Sequence, residues 1–269
     1  MTSIGRLRYL EQAAPAGVRP RGTLVLLHAF PMNARMWEGQ LALSAGGWRV
    51  VAPQFRGFDG GDGDPAANLM DDYAGDVVDL LDALHVPDAV IGGLSLGGYV
   101  AFALLRLAPH YVRGLILADT RPQADTPEGL EARRGMLALL EKNPARGAEA
   151  VMDQMLPKLV GGPARAASAE VVAHLRALGM ASSAASIAGA VRALMTRPDS
   201  TPLLSTIHCP TLIVVGADDV ITPPALSEEM HRAIAGSELV EIPAAGHMSN
   251  FEQPVAFNDA VARFLADRV

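Results

Sequence analysis

Val90-Ile91-Gly92-Gly93-Leu94-Ser95-Leu96-Gly97-Gly98-Tyr99 is the stretch that decides how this chain folds. The apolar run Ala89 to Ile91 predicts a buried strand, and Leu96 to Leu107 predicts a helix that stops at Pro109. Between them, Gly93-x-Ser95-x-Gly97 holds a serine on a turn too sharp for bulky neighbours. Side chains two residues either side of the serine would collide across the turn, so small residues are needed there. The spacing alone is a weak signal in a chain with 26 glycines. Its position between a strand and a helix makes it a strong one, because that frame lifts the serine oxygen to the rim of a sheet.

The same alternation extends on both sides. Leu7 to Leu10 predicts an edge strand and Thr23 to Leu27 a buried strand ending in His28-Ala29-Phe30-Pro31. Ala34 to Leu43 predicts a helix, Trp48 to Ala52 a strand, and Pro53 to Gly63 a glycine-rich loop. Asp71 or Asp72 is placed to cap a helix whose apolar stripe is Val77, Leu80, Leu81 and Leu84. Leu115 to Ala118 predicts a further strand ending at Asp119, and two more are predicted at Thr211 to Val215 and Leu239 to Ile242. A last helix from about Pro254 carries its apolar face on Phe257, Val261, Phe264 and Leu265. Strands alternating with helices imply crossover connections and a mostly parallel sheet, an α/β fold.

From Arg121 to about Leu204 the character changes. Runs of β-branched residues disappear, and helix starts are expected at Thr126-Pro127, Asn143-Pro144, Ser168 and Ser182. The expected organisation is therefore one α/β core, residues 1–120 and 205–269, interrupted by a helical cap insertion at 121–204.

Bulk properties narrow the class. A length of 269 residues suits one large domain with an insertion. No apolar run approaches the roughly 20 residues of a membrane span, and the polar stretch Met1 to Glu11 does not resemble a signal peptide. One cysteine, Cys209, excludes an internal disulfide framework and fits a reducing compartment, so a cytoplasmic location is expected. A formal charge of −7 without a basic cluster argues against a nucleic-acid partner.

Chemistry is concentrated at strand ends. A serine hydroxyl is a poor nucleophile at neutral pH and needs a base, which itself needs an orienting acid. Gly216-Ala217-Asp218-Asp219-Val220-Ile221-Thr222-Pro223 follows one strand and Gly246-His247-Met248 follows the next. In a parallel sheet the carboxyl ends share one edge, which would gather Ser95, Asp219 and His247. Asp218 and Asp119, also at strand ends, are the alternative acids.

These pieces, with Leu27-His28-Ala29-Phe30-Pro31, Arg56-Gly57-Phe58, Glu252 and Pro254, resemble the α/β-hydrolase superfamily along essentially the whole chain. The resemblance is greatest to a capped bacterial group that holds carboxylesterases, 3-oxoadipate enol-lactonases and cofactor-free haloperoxidases. It implies Ser95 as nucleophile, His247 as base, Asp219 as orienting acid, and the backbone N–H groups of Phe30 and Leu96 as the oxyanion hole. It implies a small-molecule ester or lactone substrate and no cofactor. Leu96 has an independent argument: N–H groups at a helix start lack intrahelical partners and favour negative charge. The chain departs from the family with Ala29 where glycine is usual. Gln54 stands where an aspartate is common, so a salt link supporting that loop is expected to be missing.

The other histidines (His28, His85, His110, His174, His208 and His231) show no metal-ligand spacing. His28 is placed to brace the oxyanion turn, and Cys209 to be a small buried residue. Arg121, beside Asp119, is placed for a surface ion pair or for an anionic substrate group. Met136, Met152, Met155, Met180 and Met195 fall in the insertion, and either line an adaptable pocket or only pack its helices. Enol-lactone cleavage, perhydrolysis and C–C bond hydrolysis would use the same three residues. A non-catalytic ligand-binding protein of the same fold is a more distant alternative.

Overall fold

The computed structural model describes residues 1–58, 69–162 and 169–269. Eight strands form one sheet: β1 (Thr2–Ile4), β2 (Leu7–Gln12), β3 (Gly22–Leu27), β4 (Trp48–Gln54), β5 (Ala89–Leu94), β6 (Val112–Ala118), β7 (Thr211–Gly216) and β8 (Glu238–Ile242). Their spatial order is β1-β2-β4-β3-β5-β6-β7-β8. The β1–β2 and β2–β4 pairs are antiparallel and every other pair is parallel. β2 is therefore the second strand, with β1 outside it, rather than the edge strand expected at Leu7 to Leu10.

The apolar runs are continuous because helices cover both faces of the sheet. Every residue of β5 and β7 is buried. Successive side chains go to opposite faces: Val25 and Leu27 join an apolar cluster with Val77, Leu81 and Phe102, and Leu24 and Leu26 join one with Trp37, Phe257 and Phe264. The first face is covered by α1 (Met70–Ala83) and α2 (Leu96–Leu107). Between β6 and β7 lie α3 (Pro127–Lys142), α4 (Gly147–Leu159), α5 (Ala169–Gly179) and α6 (Ala184–Thr196). α7 (Pro224–Ala233), the short α8 (Ser249–Glu252) and α9 (Pro254–Asp267) complete the chain. Among the described residues no single helix is long and apolar enough to cross a membrane.

Several local expectations change. The helix expected over Ala34 to Leu43 spans Ala34–Gly46 and is of the 3₁₀ type. Its buried residues include Ala34, Trp37, Gln40 and Leu43, a spacing of three that matches the 3₁₀ turn. α1 starts after Leu69, and Asp72 accepts the Leu69 N–H at 3.1 Å, so it works back from the first turn instead of preceding the helix. Leu84 ends that helix and is only half-buried. Thr126 caps α3 as expected, whereas α6 is capped by Ser183, not Ser182. Asn143-Pro144 opens a short 3₁₀ turn that leads into α4. The helix start expected at Ser168, and the loop from Pro53 to Gly63 beyond residue 58, lie outside the described residues.

Parallel register aligns the strand ends. Leu27 pairs with Gly93, Gly93 with Leu117, and Ala118 with Val214. The residues that leave these strands therefore converge on one rim.

Candidate active site

Ser95 stands between β5 and α2 with φ +54°, in a region that costs a non-glycine residue about 1–3 kcal/mol. The turn is as tight as its spacing implies. A Cβ on Gly93 would lie 2.2 Å from the Gly97 carbonyl oxygen, and one on Gly97 would lie 2.1 Å from that of Leu27. Neighbouring strands hold the serine there: its N–H donates to Ala118 O at 3.0 Å, and Thr120 Oγ1 donates to its carbonyl at 2.9 Å.

His247, on the loop between β8 and α8, brings Nε2 to 2.8 Å from Ser95 Oγ. Its Nδ1 lies 2.8 Å from Asp219 Oδ2, in a pair almost wholly removed from water. The pattern requires Nδ1–H to donate to the carboxylate, leaving Nε2 to accept from the serine hydroxyl. Asp219 is fixed by its own loop. Its Oδ1 accepts the N–H groups of Ile221 at 2.8 Å and Thr222 at 3.0 Å, and its Oδ2 accepts the Thr222 hydroxyl at 2.6 Å. Burial pushes this carboxyl up, but the facing His247 and these hydrogen bonds outweigh it and hold the group below the usual carboxylate range. Burial likewise opposes charge on His247, and Asp219 outweighs it, raising the imidazole above its ordinary value. Thr222 is a member of this network that sequence reading missed. The signal was present in Asp219-x-x-Thr222, an acid whose side chain closes a turn onto its own backbone.

The other two acids go elsewhere. Asp218 is exposed. Asp119 is fully buried, shares a hydrogen bond with the Ser249 hydroxyl, and accepts the Gly216 N–H at 2.8 Å. Burial pushes its carboxyl up to about 8. Asp119 thus ties β6 to β7 and α8, and it makes no hydrogen bond to His247 among the described residues.

Leu96 is the first residue of α2 and Phe30 lies between β3 and the 3₁₀ helix; neither N–H has a hydrogen-bond partner among the described residues. His28 braces the turn before Phe30. It is fully buried, its Nε2 accepts the Phe55 N–H at 3.1 Å, and so its Nδ1–H donates to Ala29 O at 3.0 Å. Burial lowers its pKa to about 4, which keeps the ring neutral. The salt link expected to be missing is supplied from another element. Arg56 pairs with Asp76 of α1, while Gln54 Oε1 accepts the Ala34 N–H at 3.1 Å.

Ser95 and His247 open onto a cavity of about 80 Å³ whose walls include Phe30, Tyr99, Arg121, Arg133 and Met155. Of the two roles open to the insertion's methionines, packing its helices is the main one. Among the described residues that line the wall, Met155 is the one methionine of the five; Met152 is buried in the core and Met180 is exposed. Aromatic walls come from core elements instead. Arg121 forms the expected ion pair, with Asp125 at 3.0 Å, but inside the cavity rather than on the surface. Arg133 and Arg197 reach the same carboxylate at 3.3 and 2.8 Å. Cys209 is half-buried, not buried. Glu252 accepts the N–H groups of Gly161 at 2.7 Å and Gly246 at 2.8 Å, joining the end of α4 to the His247 loop.

Comparison with known proteins follows the same lines. The model of the alpha/beta hydrolase family matches residues 24–260. The 3-oxoadipate enol-lactonase 2 of Acinetobacter baylyi is 28% identical over 254 residues, covering 92% of this chain and 90% of that protein. A thermophilic esterase from Thermogutta terrifontis, solved with malate bound, superposes with a TM-score of 0.88 at 34% identity, covering 97% of this chain and 93% of that one. The enol-lactonase of Burkholderia xenovorans LB400 gives 0.85 at 27% identity, covering 97% and 96%. The chain belongs to the alpha/beta hydrolase family.

Proposed function

We propose that the protein is a serine hydrolase that cleaves a carboxylic ester or lactone through an acyl-enzyme. The observation that carries this reading is the unbroken hydrogen-bonded line from Ser95 Oγ through His247 to Asp219, with 2.8 Å at each step. Similarity to an esterase and to enol-lactonases supports the substrate class.

In this reading Ser95 Oγ attacks the substrate carbonyl as His247 Nε2 takes its proton. Asp219 holds Nδ1–H and stabilises the imidazolium, and the carbonyl oxygen, now an anion, moves against the N–H groups of Phe30 and Leu96. Donors of this kind are worth about 2.7–4 kcal/mol each. Collapse of the tetrahedral intermediate breaks the bond to the alcohol oxygen, which takes the proton from His247. His247 then removes a proton from water, whose oxygen attacks the acyl carbon; the second tetrahedral intermediate collapses by breaking the bond to Ser95 Oγ, which takes that proton back from His247 as the acid leaves. The small cavity favours short groups, well under the roughly 300–1,000 Å³ of drug-sized sites. Residues 121–204 act as a helical cap over the core of 1–120 and 205–269, and their Arg133 and Met155 close one side of the site.

The test is hydrolysis of p-nitrophenyl esters from acetate upward, together with labelling by a phosphonate ester. Wild type should prefer short acyl groups and gain one covalent adduct on Ser95. Ser95→Ala should lose about 10⁴-fold or more in kcat and take no label. Undiminished turnover in Ser95→Ala would exclude the acyl-enzyme route.

A further inference from the structure

Arg121 and Arg133 are placed unusually for arginines. Both stand in the wall of the cavity that holds Ser95 and His247, with side chains 23% and 21% exposed, against 66% for Arg6 on the surface. Among the described residues each makes one ion pair, and both pairs are to Asp125.

That carboxylate is already matched. Arg197, almost fully buried, lies 2.8 Å from Asp125 Oδ1, donates to Leu194 O at 2.7 Å and Gln123 O at 3.1 Å, and stacks 4.3 Å over the Tyr99 ring. Arg197 and Asp125 together are neutral, which leaves Arg121 and Arg133 as two positive charges uncompensated among the described residues. Among the described residues no carboxylate lines the cavity. Asp219 is engaged by His247 and Thr222, and Asp119 by Ser249 and Gly216. Hydrogen bonding is as incomplete as charge. A guanidinium has five N–H donors. Arg121 Nε is buried without a partner, and Arg133 has only its Nε contact to Asp125 among the described residues. Two half-buried guanidiniums sharing one spent carboxylate are costly unless something else meets them. A carboxylate matches the planar fork of arginine with two hydrogen bonds.

We propose that the wall formed by Arg121 and Arg133 is an anion subsite, and that the substrate is an ester or lactone carrying a free carboxylate a few bonds from the scissile carbonyl. The proposal rests on the hydrolase reading above and specifies its substrate class. The cavity volume limits the spacer to a short one, and the carboxylate can sit on the acyl or on the alcohol side.

Matched pairs of substrates decide it. Monomethyl succinate and its amide analogue methyl succinamate probe the acyl side; acetylglycolate and acetylglycolamide probe the alcohol side. In wild type, at least one carboxylate should exceed its amide partner at least tenfold in kcat/KM. In Arg133→Gln and Arg121→Gln that ratio should fall towards one, mainly through KM, with Arg133→Lys keeping part of it. Melting curves identify any variant that fails to fold, and Arg133→Lys then carries the comparison. Amides cleaved as well as carboxylates by wild type would overturn the subsite and leave the hydrolase reading standing. A second readout is independent of turnover: calorimetric titration of Ser95→Ala with succinate. Binding that disappears in Ser95→Ala/Arg133→Gln supports the subsite even if no ester is cleaved. Succinate that fails to bind, or binds equally well without Arg133 and Arg121, overturns it.

Discussion

Thr222 donates its hydroxyl to Asp219 Oδ2 at 2.6 Å, the same oxygen that faces His247 Nδ1 at 2.8 Å. The Thr222 side chain thus supports both the charge and the aim of the acid, alongside His247 and the N–H groups of Ile221 and Thr222. Hydrogen bonds to charged groups contribute about 1.5–3 kcal/mol. Thr222→Val keeps the shape and removes the donor, so kcat on a short ester should fall roughly tenfold or more, with KM little changed. A change confined to KM would place Thr222 in substrate binding instead.

The pH profile separates the two buried aspartates. His247 must be neutral to accept the serine proton, so kcat/KM rises with pH through its pKa, which Asp219 holds above the ordinary 6.5. Asp219→Asn removes that support and leaves burial, which acts the other way. The acidic limb should move to lower pH and kcat should drop about 10⁴-fold. Asp119→Asn should cost less than about tenfold, because an amide can keep both the Gly216 and Ser249 contacts. Its signature is in stability. Folded Asp119 keeps its proton to about 8, whereas the unfolded chain releases it near 3.8, so wild-type stability declines as pH rises through that window. The melting temperature of Asp119→Asn relative to wild type should climb between pH 5 and pH 8. A constant difference would mean that Asp119 is ionised in the folded protein.

The sequence made the strand ends legible but not what meets at them. Thr23 to Leu27 and Thr211 to Val215 are strands because their apolar runs fit burial on both faces, and the Gly93 and Gly97 spacing announces the turn around Ser95. Which aspartate reaches His247 was open, because Asp119 and Asp219 both follow strands. The difference lies in the backbone. Asp119 follows β6 directly with φ +44° and turns onto β7, while Asp219 sits three residues past β7 in a loop that its own side chain closes. Arg133 had no signal at all: it is one of several charges on a largely polar helix, and only the packing of α3 against α4 and α6 brings it to the cavity that holds Ser95. A helix was legible at Ala34–Gly46 but its 3₁₀ type was not, because periods of 3.0 and 3.6 diverge little over so short a stretch.

His28 predicts an acid weakness. With a folded pKa of about 4 against an ordinary 6.5, it binds its proton later than the unfolded chain does. Its contribution is intact above pH 6.5 and is lost as pH falls towards 4, up to about 3 kcal/mol. Denaturant melts between pH 7 and pH 4 should show this loss, smaller in His28→Gln. His28→Ala orphans the Phe55 N–H and Ala29 carbonyl and should cost about 2–4 kcal/mol at pH 7. Equal pH slopes in wild type and His28→Gln would mean that His28 does not resist protonation.

Two glycine-to-alanine changes, both in helices, should have opposite outcomes. At Gly97 an added Cβ would meet the Leu27 carbonyl oxygen at 2.1 Å. Leu27 is held in the sheet by its pairing with Gly93, so α2 has to move, and Ser95 moves with it. Overpacking of this kind costs about 1–3 kcal/mol or more. A shift of about 1 Å in a reacting atom costs roughly 10²-fold in rate. At Gly135 on α3 nothing among the described residues lies within 4 Å of the added carbon. Gly135→Ala should therefore gain up to about 1 kcal/mol from helix propensity alone while kcat stays within about twofold of wild type. Gly97→Ala should melt lower and lose kcat by two orders of magnitude or fail to fold. If Gly97→Ala is as stable and as active as Gly135→Ala, the close approach of α2 to β3 is not what holds Ser95 at the rim.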